Sequence, residues 1–325
     1  MPRAATAPIR VLALLGPTAS GKSDLAVAVA ARLPQAVEIV SCDAFQVYRE
    51  LDIGSAKPSA ELLAAVPHHL IDVLDPDDPC SAGRYAEMAA AAIRAVAGRG
   101  ALPLVVGGSG LYFRALRDGI FSGPRPDPEL RRRLAALYAR RSGPRWLEAL
   151  LHRLDPEAHR RLHPNDQVRR IRALEVALSR GEPISRLQRT RRPPIPDARW
   201  AVAALDPPRP VLDGRISARV GAMFAAGLVG EVRRLESRYA AAWPGRTAIG
   251  YREVVEALRG CPPPEELERR LVEARHRIAG ATRRYARRQR TWFRREADLA
   301  WHAGSAAQAR VERSVTRQFR RFLDP

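Results

Sequence analysis

Lysine is almost absent from this chain of 325 residues: Lys22 and Lys57 are the only two among 55 basic residues, and arginine supplies the rest. A lysine in such a background marks a place that wants a compact ammonium rather than a planar guanidinium. Cysteine is scarce too. Cys42, Cys80 and Cys261 lie far apart and form no C-x-x-C pair, which excludes a zinc ribbon or finger and fits a reducing cytoplasm. The seven histidines show no metal-ligand spacing, and the one cluster, His68-His69, reads as structural. No apolar run is long enough to span a membrane. The opening MPRAATAPIR has no apolar core, so no signal peptide is expected. Negative charge is missing from one part only. Residues 1–120 hold 11 Lys/Arg against 12 Asp/Glu, whereas the remainder holds 44 against 23, within a net charge of +20. A basic surface confined to one part suggests a polyanion such as nucleic acid. The competing reading is an arginine-rich composition spread over every surface, which leaves the asymmetry unexplained.

What is present starts at Val11. The run VLALL predicts a buried strand, and Gly16, Pro17, Thr18, Ala19, Ser20, Gly21, Lys22 and Ser23 follow it in the pattern G-x-x-x-x-G-K-[ST]. DLAVAVAARL then continues as a helix. Strand, glycine loop and helix are the context a P-loop requires. Backbone N–H groups and the positive end of the helix converge on one point, Lys22 adds a cation, and the Ser23 hydroxyl suits Mg²⁺ carried by phosphates. A di- or triphosphate is therefore expected, its identity undetermined by the loop.

A second buried strand, Val37–Ser41, ends at Cys42-Asp43, which puts Asp43 at a strand's carboxyl edge, where ligands bind in open α/β sheets. The following stretch to Lys57-Pro58 reads as an ordered loop with a short helix, and His68–Asp72 as a short strand. Asp75-Pro76-Asp77-Asp78 looks like an acidic Mg²⁺ cluster, but its prolines prevent two carboxylates from sharing a helix face, so a plain turn is preferred. Ser81–Ala97 is a helix with a serine cap. A third buried strand, Leu102–Val106, ends in Gly107-Gly108-Ser109-Gly110. A P-loop ATPase would place a metal-holding Asp there. Its absence, with Asp43 on the neighbouring edge, favours transfer to an acceptor over hydrolysis.

From residue 119 to 196 the character changes. Pro124, Pro126 and Pro128 read as a hinge-like segment, four arginine-rich helices follow (Pro128–Arg141, Pro144–Leu154, Pro156–Leu162, Asp166–Ser179), and RTRRPPIP closes the stretch. Trp200–Leu205 returns as a strand, and helices are expected from there to the end. The predicted organisation is an α/β P-loop core of parallel sheet and flanking helices, residues 1–118 with 197–325, interrupted by a helical insertion domain, 119–196. Near the end, ATRRYARRQRTWFR (281–294) interleaves six arginines with Tyr285, Trp292 and Phe293, a composition that favours nucleic acid over a solvated helix.

Taken in order, GPTASGKS, CDAFQVYRELDIGSAKP, GGSGLYFRAL, the D-x-x-R-x-x-RALE run from Asp166, the RI-x-x-R run from Arg215, AIGYRE and ATRRYARRQRTWFR resemble the bacterial tRNA dimethylallyltransferases over residues 9–295. The resemblance implies transfer of the dimethylallyl group of dimethylallyl diphosphate to N6 of adenosine 37 in tRNAs that read codons starting with U, with Mg²⁺ as cofactor. It implies a cytoplasmic monomer whose P-loop holds the prenyl diphosphate instead of ATP. Asp43 would be the base, Lys22 with Arg215 or Arg219 would hold departing pyrophosphate, and Ser109, at a family threonine, would stand near the acceptor. Asp43, Ala44, Phe45 and Gln46 would touch the extruded adenosine. The anticodon stem-loop would be gripped by Arg131, by Val168, Arg169, Arg170, Ile171 and Arg172, by Thr247, Ala248, Ile249, Gly250, Tyr251 and Arg252, and by Arg287, Arg288, Gln289, Arg290, Thr291, Trp292, Phe293 and Arg294. The insertion matches a mobile family domain that closes over RNA. A small-molecule or nucleotide kinase shares the loop and the sheet, and a non-catalytic RNA-binding P-loop protein shares the charge. Neither accounts for Asp43 and the lopsided charge together.

Overall fold

The computed structural model describes residues 8–121, 123, 127–239, 243–296, 298–303 and 308–324. The first seven residues, within the stretch expected to carry no signal peptide, and Pro124 and Pro126 of the expected hinge lie outside them. In chain order the elements are β1 Arg10–Leu15, α1 Lys22–Ala30, β2 Val37–Cys42, α2 Ala60–Ala65, β3 His68–His69, α3 Ala82–Gly98, β4 Leu102–Gly107 and α4 Gly110–Arg117. Then come α5 Pro128–Tyr138, α6 Gly143–Leu154, α7 Pro156–Arg161, α8 Gln167–Arg180, α9 Ile184–Arg189, β5 Arg199–Leu205, α10 Arg209–Ala225, α11 Leu228–Tyr239, α12 Tyr251–Leu258, α13 Pro264–Phe293, β6 Ala300–His302 and α14 Gln308–Leu323. No helix among the described residues is long and apolar enough to cross a membrane.

Six parallel strands form one sheet in the order β3-β2-β4-β1-β5-β6. The inner strands are mostly apolar because helices cover both faces: β1 beyond Arg10 and all of β4 are buried. One face packs Val11, Ala13, Val40 and Val105 against Tyr85, Ala89 and Ile93 of α3 and Phe113 of α4. The other packs Leu12, Leu14 and Leu104 against Leu25 and Val29 of α1 and Val311, Val315 and Phe319 of α14. The order places β4 between β2 and β1, so the carboxyl ends of three adjacent strands carry, in turn, Asp43, Gly107-Gly108 and the P-loop.

Three local expectations change. The strand expected over His68–Asp72 is two residues long, because Leu70 and Asp72 adopt left-handed backbone (φ 62° and 56°) that ends an extended run. The stretch after Asp43 holds no helix. It is a series of turns, with Glu50 and Ala56 at φ 64° and 53°. The chain after β5 is not wholly helical, since β6 adds a short parallel edge strand through Ala203–Leu205.

The chain divides into two compact units, Met1–Leu116 with Ile195–Pro325, and Arg117–Pro194. The second is a helical body around Leu134, Leu147, Leu151, Ile171, Leu174 and Ile184. Three of its helix starts, those of α5, α7 and α8, are capped by aspartate side chains. Asp127 accepts from the N–H groups of Glu129 and Leu130 at 3.0 Å, and buried Asp155 accepts from Ala158 N–H at 2.9 Å and from the Ser185 hydroxyl at 2.7 Å. In the first unit Ser81 caps α3 through Arg84 N–H at 3.1 Å.

Candidate active site

The P-loop is shaped by backbone first. Gly21 caps α1 at φ 83°, a conformation natural to glycine, and turns the first N–H groups of the helix toward the loop's interior. Ser20 N–H bonds the Pro17 carbonyl at 3.2 Å, closing the turn, and Gly16 N–H bonds the Gly107 carbonyl at 3.3 Å. The Ser20 hydroxyl is buried and has no partner within the described protein, which suits an oxygen-rich ligand in the cradle. Two arginines on one face of α10 close the outer side. Arg215 donates to the Ser20 carbonyl at 3.1 Å, and Arg219 reaches the Thr18 hydroxyl at 3.4 Å. A cavity of about 360 Å³ opens there, lined by Ser20, Gly21, Asp24, Leu205, Arg215 and Arg219 among others.

Lys22 faces the inner side, where it shares a narrow cleft with Ser23, Ser41, Asp43, Gln46 and His68. Burial lowers its ammonium to about 8. Asp43 pulls it up, Arg219 pushes it further down, and Cys42 has a small upward effect. Burial also pushes Arg219 down, opposed by Asp24 and Asp43. Three cations around the loop, Lys22 on the inner side with Arg219 and the exposed Arg215 on the outer, and two carboxylates nearby, Asp24 and Asp43, are arranged for an anion of more than one charge.

On the β2 side, Asp43 Oδ1 accepts the N–H groups of Phe45 at 2.9 Å and Gln46 at 3.4 Å, an Asx-type turn that leaves Oδ2 to take a proton. The Gln46 amide is held at both ends. Its nitrogen donates to the Ala56 carbonyl at 3.0 Å, and its oxygen accepts the Ser41 hydroxyl at 3.1 Å. Ser109 is drawn to this place by its N–H, which bonds the Cys42 carbonyl at 3.2 Å. Tyr285 of α13 stands beside Ser109 and Asp43. Burial raises its phenol, and Asp43 raises it further. The interleaved aromatics of the basic block point to nucleic acid, but only the fold puts one of them at Asp43.

The glycines ending β4 are required by close approach. A Cβ at Gly107 would lie 2.0 Å from the Cys42 carbonyl oxygen. One at Gly108 would meet the Gln289 amide nitrogen at 2.4 Å. Gln289 is buried and bridges the two halves of the site: its oxygen accepts Thr18 N–H and its nitrogen donates to the Gly108 carbonyl, both at 2.9 Å. Gln289, expected at RNA, is thus occupied inside the protein. Of the other residues expected at RNA, Ile171 lies in the core of the helical unit, and Tyr251 and Phe293 are each 1 % exposed in the first unit. Arg170 is buried against the Leu162 carbonyl, and Arg290 pairs with Asp206 at 2.5 Å, as does Arg294 at 3.0 Å.

Other expected contacts lie on the surface. Val168 is 79 % exposed, Arg169, Arg287, Arg288 and Thr291 face solvent, and Thr247 is exposed ahead of Ala248 and Ile249. Arg252 is partly exposed and pairs with Glu253. Arg131 and Arg172 flank buried Glu175 at 2.7 and 3.1 Å, which fixes both guanidinium groups on one patch of the helical unit. Trp292 lies against the Gly110 backbone under the Arg114 guanidinium, 4.5 Å from its ring centre. Ala44 and Phe45 are half-buried beside Asp43. The acidic turn after Leu74 is held by protein cations: Asp75 by Arg49 at 2.9 Å, and Asp78 by Arg84. The second lysine finds its place as well, since buried Lys57 joins Asp52 to Asp72.

A model of the IPP transferase family matches residues 46–296, and one of isopentenyl transferases matches residues 9–74. A tRNA dimethylallyltransferase of Anaeromyxobacter dehalogenans is 49 % identical over 296 residues, which cover 91 % of this chain and 95 % of that protein. One from Koribacter versatilis is 43 % identical over 298 residues, covering 92 % and 94 %. Among solved structures, the full-length tRNA isopentenylpyrophosphate transferase of Bacillus halodurans superposes with a TM-score of 0.67 at 34 % identity, over 96 % of this chain and 97 % of that one. A eukaryotic dimethylallyltransferase acting on tRNA shares the fold, with a TM-score of 0.74 at 23 % identity over 97 % and 80 %. The kinase reading gains nothing from these relatives. With a phosphate cradle on β1, a carboxylate on β2 and glycines where an ATPase would carry its acid, the chain belongs to the IPP transferase family of tRNA dimethylallyltransferases.

Proposed function

We propose that this prenyltransferase moves the dimethylallyl group of dimethylallyl diphosphate to N6 of adenosine 37, beside the anticodon of tRNA. The observation that carries the reading is the placement of Asp43 and the P-loop on strands separated only by the glycine end of β4. That arrangement sets a base on one side of a short gap and an anion cradle on the other.

The exocyclic amine is a weak nucleophile, so the reaction needs a proton acceptor and a stabilised leaving group. As N6 bonds to C1 of the prenyl group, the C1–O bond breaks and pyrophosphate departs with the electron pair. Oδ2 of Asp43 takes the N6 proton. Lys22, Arg219, Arg215 and the loop N–H groups hold the charge that develops on pyrophosphate. Because these donors are fixed before reaction and Lys22 and Arg219 are partly removed from water, their effect exceeds that of the same charges in solution. Ser109 and Tyr285 supply polar neighbours for the acceptor side.

The residues present fit Mg²⁺. The Ser23 hydroxyl, with oxygens of a bound diphosphate, would give the all-oxygen set this ion prefers, and among the described residues no cluster of three His, Cys, Asp or Glu forms a separate site. When bound, the ion would add positive charge at the leaving group. Arg287, Arg288 and Thr291 of α13, Thr247 ahead of α12, and Val168, Arg169, Arg131 and Arg172 of the helical unit, residues 117–194, are proposed to grip the anticodon stem-loop. The protein is read as a monomer.

Incubating the purified protein with tRNA and either labelled dimethylallyl diphosphate or labelled ATP tests the assignment. Label from the prenyl donor is expected at A37. Phosphate transfer from ATP to a small acceptor would establish the kinase in its place, and RNA binding without turnover of either donor would leave a binding protein.

A further inference from the structure

Glu231 is 1 % exposed, yet no ion pair to it exists among the described residues. It sits in the first turn of α11, and its partners are backbone N–H groups and one phenol. Oε2 accepts the N–H groups of Asp52 at 3.1 Å and Ile53 at 2.7 Å, and Oε1 accepts Gly54 N–H at 3.0 Å and the Tyr251 hydroxyl at 2.8 Å. Four donors saturate the two oxygens. Gly54 and Tyr251 fit closely around this group, since a Cβ at Gly54 would lie 2.4 Å from the Tyr251 ring.

The segment so held leads straight to the acceptor side. Ile53 O accepts Ala56 N–H and Asp52 O accepts Lys57 N–H, both at 3.1 Å, while Lys57 anchors the far end on Asp52 and Asp72. Ala56 sits at φ 53°, a strained setting for a side-chain-bearing residue that only its surroundings can maintain. Its carbonyl accepts the Gln46 amide nitrogen at 3.0 Å, which decides the side on which the amide oxygen stands, three residues from Asp43.

We propose that Glu231 is a positioning residue: by fixing the Asp52–Gly54 backbone it sets the Ala56 carbonyl, and through it the orientation of the Gln46 amide toward the acceptor base. This rests on the assignment of Asp43 and Gln46 to the acceptor side. Tyr251, expected at RNA from sequence, belongs to this clamp.

Glu231→Gln keeps the size but turns a donor toward at least one of the four donors it now accepts. Transfer from dimethylallyl diphosphate to an anticodon stem-loop RNA is expected to lose on the order of tenfold in kcat, with the affinity for inorganic pyrophosphate within about twofold of the parent. Tyr251→Phe, which removes one of the four donors, gives a smaller loss of the same kind. In a Gln46→Ala background Glu231→Gln is expected to cost little more, because both act on one group. Losses that multiply in the double variant would overturn the proposal, as would a pyrophosphate affinity that falls in step with kcat, or an unchanged kcat in a variant whose melting temperature has dropped. A parent protein that shows no prenyl transfer at all would instead overturn the assigned function.

Discussion

The P-loop and the turn-rich loop after Asp43 stand one strand apart and are built on opposite plans. Gly16–Ser23 takes its turn from its own backbone, a left-handed Gly21, a turn closed by Pro17 and Ser20, and the start of α1, with Gln289, Arg215 and Arg219 bracing it from outside. The Asp43–Lys57 loop has no regular structure of its own and is held by distant groups, Glu231 and Tyr251 on α11 and α12, and Asp72 beyond β3. In the proposed function the first would hold the part of the substrate that is the same in every diphosphate, and the second would meet the part that must be distinguished. On that reading a generic ligand is served by a loop whose turn is local, whereas a particular base requires a surface shaped mainly by distant parts of the chain.

The sharpest break in this comparison is Asp43→Ala. It is expected to reduce transfer by about 10²–10⁴-fold while tRNA binding stays near that of the parent, measured by single-turnover label transfer and filter binding. A large loss of RNA affinity with chemistry intact would remove Asp43 as base. On the other side, Lys22→Met is expected to weaken pyrophosphate binding more than RNA binding. The parent should show a matching pH dependence. The ammonium is lowered to about 8, so it is charged below that pH and neutral above it. Pyrophosphate affinity is then expected to fall by roughly tenfold per pH unit as pH rises above 8, and Lys22→Met to lose that dependence, both by calorimetry.

Gln289 joins the two plans, and its replacement tests whether they are separable. Gln289→Leu leaves Thr18 N–H and the Gly108 carbonyl without their partner, which is expected to cost about 1–3 kcal/mol in denaturant unfolding. Pyrophosphate affinity should fall with it, because the loop is displaced from β4. The smallest effects concern the basic face of α13. Removing Arg287 and Arg288, both exposed, is expected to lower the salt dependence of tRNA binding by about one unit of slope for each phosphate that is no longer neutralised. Removing Arg290, paired with Asp206, should change it little. Equal slopes for all variants would make the block a solvated face.

Those differences follow what can be read from local sequence. The P-loop, the apolar strands and the Asp43 edge were legible because each is encoded within a dozen residues by pattern and spacing. The lysine scarcity pointed correctly at Lys57, whose ammonium is buried between two aspartates, but its role depends on a contact with Asp72 that spacing does not announce. Glu231 left no trace in sequence, since an acidic residue near a helix start normally faces solvent and favours the dipole. Gln289 and Phe293 were hidden in the arginine-rich block, whose composition describes the outer face of α13 and not the inner one. β6 was missed because three half-exposed residues carry too little apolar pattern to stand out.

The sheet order also dictates when the catalytic motif can take shape during synthesis. β1, made first, is flanked in the finished sheet by β4 and by β5, and the cluster that α1 begins over Leu12 and Leu14 is completed by α14. The helical unit is continuous in the chain and has its own core, so it can close without β5 or α14. The P-loop strand must therefore keep one edge open until β5 emerges, and the cluster around Leu12 and Leu14 stays incomplete until Val311, Val315 and Phe319 arrive. The oldest part of the nascent chain is the last to be sealed, so ribosome-bound fragments ending before α14 should be vulnerable to proteases in the P-loop region while the helical unit already resists them.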